Sequence, residues 1–287
     1  MPRREVRVSD KLELTLADGG GLRIRAALTS VAAREAIARH KMSATAGRVL
    51  ADALTAVALL PIEHNKHDRV SIQWVGRGLL ISAFAELRVV DDEAHLRGYV
   101  GAPQAEIPAG TSGIFPPGRV VVMRQRPDGN HDLGQAELHD PQLDRSLESF
   151  MRTSDQVATS LFCGSHHEGD ALISGGVLVQ RMPDGPELPS LDRPALRDAL
   201  KANDLDALLD AALPDAERQH LGSLPLRFAC PCSLERVKRG VLMLEPEEIA
   251  EHAADGSIGL DCQFCGQTWT LNRIELEALL IEKRSQA

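Results

Sequence analysis

Four cysteines near the end of the chain carry its most legible chemistry. Cys230-Pro231-Cys232 is followed, after residues 233–261, by Cys262-Gln263-Phe264-Cys265. Two pairs of thiolates can close a tetrahedral Zn²⁺ site with sulfur to metal distances of about 2.3 Å. Soft sulfur donors select zinc or iron over magnesium or calcium. Four sulfurs leave no coordination position for water, so hydrolysis at such a metal is not expected. The other reading of the same residues is four merely buried or disulfide-forming cysteines.

The same thiols carry redox information. A disulfide between Cys230 and Cys232 can span one intervening residue with some strain, and Cys262 and Cys265 have the spacing of dithiol redox pairs. Forming both bonds uses up every candidate ligand and ejects the metal. Structural zinc contributes about 10 to 16 kcal/mol in small fingers, against a few kcal/mol for a short disulfide loop. Oxidation is therefore expected to unfold the module that holds the metal. His252 sits in an acidic helix beside Glu251 and reads as surface polar. His166 and His167, near Cys163 and Asp170, are adjacent and do not converge as i,i+4 ligands would. They read as a polar hairpin turn beside a small buried Cys163.

The 287 residues suggest about two domains. Val6 to Leu14 and Leu22 to Ala26 alternate as strands around Gly19-Gly20-Gly21. Ser30 is positioned to cap a helix over 31–40, and Ser43 one over 44–60. Strand patterns follow at 71–75, 79–85, 95–100, 119–124 and 133–138, a helix at 143–152, then strands at 157–163 and 171–180. Helices interleaved with meandering strands, without a long βαβ rhythm, point to an α+β fold. A mixed, largely antiparallel sheet packed with helices is expected over residues 1–181.

The composition changes at Arg181. From Asp184 to Glu217 there are nine acidic and three basic residues. Leu196 with Leu200, and Leu205 with Leu208, Leu209 and Leu213, keep helical spacing, and Asn203 is a candidate cap for the second helix. Residues 182–222 thus read as an acidic helical linker that is marginal unless docked. Residues 223–287 form a small module with helices from Ser233, Pro246 and Asn272 and strands at 258–261 and 268–271. At that size a lone hydrophobic core usually needs a staple.

The formal charge of −9 makes duplex nucleic acid a poor partner. From Arg227 to Glu277 there are five basic and nine acidic residues, which also argues against a zinc-ribbon nucleic-acid module. The longest apolar run, 49–61, contains Asp52, so no membrane span is expected. The start of the chain lacks a hydrophobic export segment, which points to the reducing cytoplasm. Gly19-Gly20-Gly21 and Gly175-Gly176 have hairpin context rather than that of a phosphate or dinucleotide loop. No catalytic residue is expected, although a thiol-disulfide oxidoreductase acting through Cys262 and Cys265 is an alternative.

Phe228-Ala229-Cys230-Pro231-Cys232-Ser233-Leu234-Glu235-Arg236-Val237, Glu247-Glu248-Ile249 and Cys262-Gln263-Phe264-Cys265 resemble the zinc module of the Hsp33 family of redox-regulated 33 kDa chaperones. Phe150 to Thr159 and Gly175 to Gln180 resemble segments of the same family. The resemblance implies an ATP-independent holdase, zinc-bound and inactive when reduced, with one Zn²⁺ per chain. It further implies that Cys230, Cys232, Cys262 and Cys265 are both ligands and switch, paired 230 with 232 and 262 with 265 on oxidation. Zinc release and linker unfolding then expose surface for unfolding client proteins, and oxidised molecules tend to form homodimers.

Overall fold

Helix α2 (Ala44–Leu59) is the element around which the larger part of the chain packs. The Ser43 hydroxyl accepts from the Ala46 N–H at 3.1 Å and caps it, as the sequence suggests. Leu60, extended because proline follows it, ends the helix. In this computed structural model, residues 10–61, 68–169 and 171–286 are described. The chain divides into two units, Met1–Ala229 and Cys230–Ala287.

The larger unit holds a ten-stranded sheet in the order β7-β6-β3-β4-β5-β10-β1-β2-β9-β8. Its strands are β1 (Lys11–Ala17), β2 (Leu22–Leu28), β3 (Arg69–Arg77), β4 (Ser82–Val90), β5 (Glu93–Val100), β6 (Phe115–Gln125), β7 (His131–Glu137), β8 (Thr159–Glu168), β9 (Ala171–Arg181) and β10 (Arg218–Phe228). Every neighbouring pair is antiparallel except β10 with β5, so the fold is the expected mixed, largely antiparallel α+β arrangement. The part of the expected first strand before Asp10 lies outside the described residues.

Leu50, Leu54, Val57, Ala53 and Ala58 of α2 are all fully buried. The helix touches β4 and β5 on one side of β10 and β8 and β9 on the other. Two glycines let it approach: a Cβ at Gly98 would meet Leu50 at 3.1 Å, and one at Gly176 would meet Thr55 at 3.0 Å. Helices α1 (Ser30–His40) and α3 (Leu143–Thr153) pack beside it.

The cap of α1 differs from expectation. Ser30 is already helical, and the Asp10 carboxylate reaches the helix start from just before β1, accepting from Val31 and Ala32 at 2.9 and 2.7 Å. Burial pushes the Asp10 carboxyl up to about 6 against these N–H bonds. The Ser30 hydroxyl instead donates to Asn203 Oδ1 at 3.1 Å, joining the start of α1 to the linker.

Within this unit, two short helices from the segment read as a linker pack on the sheet. Asp192 caps α4 (Arg193–Leu200), and Asp204 caps α5 (Leu205–Ala212). Asp204 takes the capping place expected of Asn203, which adopts a left-handed φ of 51° and is committed to Ser30. Leu196, Leu200, Leu205, Leu208, Leu209 and Leu213 bury against Leu22, Ile24, Phe162, Val177 and Val179. Helices of eight residues are unstable alone in water, so this contact is what orders them.

The sequence pattern did not anticipate β10. Most of its side chains are exposed, and Gly222 and Pro225 interrupt its alternation. Backbone pairing with β1 and β5 makes it a strand. The smaller unit comprises α6 (Leu234–Val241), α7 (Pro246–Asp255), β11 (Ser257–Asp261), β12 (Thr268–Asn272) and α8 (Arg273–Gln286). Asn272 and Glu275 form the expected reciprocal cap of α8.

Leu208→Ala should destabilise docking of α4 and α5 by about 2 to 5 kcal/mol, the range for a buried leucine truncation. Hydrogen exchange on the reduced protein checks this: amides of residues 193–212 should exchange faster while those of α2 stay protected.

Candidate metal centre

The cysteine pairs sit on two tight local structures. Cys262 and Cys265 occupy the turn between β11 and β12, where the N–H groups of Cys265 and Gly266 donate to Cys262 O at 3.2 and 2.8 Å. Cys262 N donates to Gln267 O at 2.9 Å. Gly266 has φ +67°, a conformation that a side chain would strain. At the turn's base, the Thr268 hydroxyl donates to Asp261 Oδ1 at 2.7 Å. Cys230 and Cys232 precede α6, whose start is fixed by Ser233 accepting from Arg236 N.

Hydrophobic packing behind these turns is modest. Val241, Ile249, Ala253, Leu271, Leu276 and Leu279 form the buried cluster, with Leu234, Val237 and Ile258 among the partly buried residues around it. Such a core orients the Cys262–Cys265 turn and the segment entering α6 but is small for independent stability.

All four sulfurs lie within 4.8 Å of one another. Cys230 Sγ is 3.7 Å from Cys262 Sγ, and Cys232 Sγ is 3.4 Å from Cys265 Sγ. A regular tetrahedron with 2.3 Å sulfur to metal bonds has edges of about 3.8 Å. No disulfide joins the four, and Cys265 is the most deeply buried. Burial pushes the Cys232 thiol up, and the charges of Cys230 and Cys262 add to this. Burial pushes Cys265 up further. Burial also opposes ionisation of Cys262, but N–H groups of Phe264 and Cys265 and bonds from neighbouring thiols outweigh it and bring that thiol down. Four thiolates in this space need a cation among them. The donor set and spacing fit a single closed Zn²⁺ site, with no ligand position left for a reacting water.

The remaining candidates fall elsewhere. His252, in α7, is not part of the cluster. His166 and His167 lie in β8 opposite Ile173 and Leu172, because the β8–β9 ladder continues past the expected strand end to Glu168. They are therefore strand residues rather than a turn, and Asp170 lies outside the described residues. Cys163 is buried in β8, its N–H donating to Asp144 at 3.1 Å. Burial, with Asp144 and Asp52 nearby, pushes its thiol well above the ordinary range. Sequence reasoning missed the pairing of Arg193 in the linker with Asp144 in α3, since two residues so far apart carry no local pattern.

The model of the family described as Hsp33 protein matches residues 10–272. The chain belongs to the Hsp33 family. A 33 kDa chaperonin of Thermus thermophilus is 30% identical, the alignment covering 94% of this chain and 86% of that protein. A 33 kDa chaperonin of Gloeothece citriformis is 29% identical over 98% of this chain and all of its own length. The crystal structure of an Hsp33 homologue from Thermotoga maritima shares the fold, with a TM-score of 0.78 and 22% identity over 96% of this chain and 99% of that one. As an Hsp33 protein with the clustered cysteines in place, the chain is a redox-regulated, zinc-binding chaperone and not an enzyme. Among the described residues no helix is long and apolar enough to cross a membrane.

Chelating the metal under reducing conditions should unfold residues 230–287 while the α2 amides remain protected, as read by hydrogen exchange. Cys163→Ala should keep stoichiometric zinc by elemental analysis, with some loss of stability from the space left in β8.

Proposed function

We propose that Cys230, Cys232, Cys262 and Cys265 are at once the zinc ligands and the oxidant sensor of an ATP-independent holdase. The observation that carries this is the convergence of all four sulfurs in a unit with so small an apolar core. Bound zinc supplies charge compensation and a cross-link between the two cysteine turns. Oxidation by hydrogen peroxide or a hypohalous acid takes two electrons from each pair of thiolates to form one S–S bond, and Zn²⁺ loses its ligands. The peroxide, with two protons from solvent, is reduced to two waters; a hypohalous acid, with one, is reduced to halide and water.

We assign the disulfides to Cys230 with Cys232 and Cys262 with Cys265. Sulfur contacts of 3.7 and 3.4 Å run across the pairs, Cys230 to Cys262 and Cys232 to Cys265, so these contacts do not select this assignment. Sequence spacing does. Once the module loosens, partners with one or two residues between them stay together, whereas those across the pairs must close a loop of about 30 residues.

The working division is a core over 1–181, a linker over 182–222 and a switch module over 223–287. Release of the linker would uncover Leu22, Ile24, Phe162, Val177 and Val179 on the core and the buried leucines of α4 and α5. Both surfaces suit the exposed apolar segments of unfolding proteins. Homodimer formation after oxidation follows from the same exposure. The acidic charge disfavours nucleic acid, no membrane role is assigned, and a reducing cytoplasm suits a thiol switch that rests in the reduced state.

Oxidised protein should release one zinc per chain, show the two local disulfides in peptide mapping and suppress thermal aggregation of citrate synthase. Reduced protein should do none of these. Suppression by Cys262→Ser/Cys265→Ser protein that still holds stoichiometric zinc would sink the assignment.

A further inference from the structure

Inside the larger unit a cavity of about 280 Å³ lies where α4 of the linker meets α2, α3 and β8. It includes none of the four clustered cysteines. Arg48 and Asp52 of α2 face it, as do Asp144 of α3 and Arg193 and Arg197 of α4. Three guanidinium groups thus meet two carboxylates.

The carboxylates are not equally available. Asp144 is saturated by Arg193 and by the N–H groups of Cys163 and Arg145, at 3.1 and 2.8 Å for the latter two. Asp52 accepts from the Ser165 hydroxyl at 2.8 Å. The guanidinium groups of Arg48 and Arg197 make no hydrogen bond or ion pair among the described residues, although both lie close enough to Asp52 to lower its pKa. Arg193 donates from Nη1 to Leu161 O at 3.1 Å and pairs with Asp144, and only its buried Nε has no acceptor. Burial nevertheless holds the Asp52 carboxyl up at about 7, so its charge only partly offsets Arg48 and Arg197 near neutrality.

Unspent donors and unmatched positive charge call for a ligand that is anionic and rich in acceptors. Planar guanidinium groups match the oxygens of phosphate in particular. We propose that this cavity is a binding site for a small phosphate-bearing anion, inorganic phosphate or a compact phosphomonoester, held between Arg48 of the core and Arg193 and Arg197 of the linker helix.

Such a ligand touches both sides of the linker-core contact. It therefore makes separation of α4 rarer by the factor 1 + [L]/Kd, about elevenfold at ten times its dissociation constant. The effect on activation deepens the proposed function and rests on its requirement that the linker leave the core. Binding itself does not.

The test titrates inorganic phosphate into the reduced, zinc-loaded full chain at pH 7 and constant ionic strength. Calorimetry reads binding, and hydrogen exchange reads α4. Saturable binding with slower exchange of residues 193–200 is expected. Arg197→Gln, at an exposed position outside the packed core, should weaken binding about tenfold. Arg48→Gln should do the same, and Asp52→Asn should strengthen it by removing a competing carboxylate. The proposal is overturned if chloride reproduces the response, if Arg197→Gln binds as wild type does, or if α4 exchange is unchanged at saturation. Absence of client binding by oxidised protein counts against the proposed function and is a separate readout.

Discussion

Mutual repulsion among four closely spaced thiolates is the constraint on which the smaller unit depends. Sulfurs within 4.8 Å of one another cannot all ionise unless a cation offsets their charge. The residues that impose this condition also tie the two cysteine turns together, and only a small apolar cluster lies behind them. On the proposed function, folding of the unit is conditional on metal. Chelation and the proposed oxidation differ chemically, yet both would remove the same cross-link. A larger core would have made the unit indifferent to either.

The segment carrying α4 and α5 has a related conditional stability built from different forces. Its acidic side chains favour solvent, its leucines favour the surface of β2 and β9, and its helices are too short to persist without that surface. Asp192 and Asp204 set where each helix begins, but capping contributes only about 1 kcal/mol apiece. Docking contributes the rest. Arg193 adds a polar tie through Asp144, and Ser30 adds another through Asn203. An element held by apolar contact and a few polar ties can be ordered in one state and released in another without disturbing the fully buried face of α2.

Much of the candidate site was legible before any coordinates. Metal ligands are recognised by residue type and close spacing, and Cys230-Pro231-Cys232 with Cys262-Gln263-Phe264-Cys265 keeps each pair within one turn of chain. Local rules likewise located α2 from Ser43 to Pro61, the Asn272–Glu275 cap and the apolar periodicity of α4 and α5. These depend on interactions between residues a few positions apart, which sequence periodicity records directly.

Other features depend on partners that only the folded chain brings together. Asp10 rather than Ser30 caps α1 because the chain just before β1 delivers its carboxylate from 21 and 22 residues away, and Asn203 yields its capping place because Ser30 claims it. Strand β10 exists because β1 and β5 offer backbone partners to an exposed and proline-broken segment. His166 and His167 are strand residues because β9 continues alongside them. The cavity around Arg48, Asp52, Asp144 and Arg193 draws on four separate elements. What the sequence by itself determined was the metal chemistry and the elements made by near neighbours. The tertiary structure decided which distant groups satisfy one another, because a buried charge or backbone group finds its partner in space rather than along the chain.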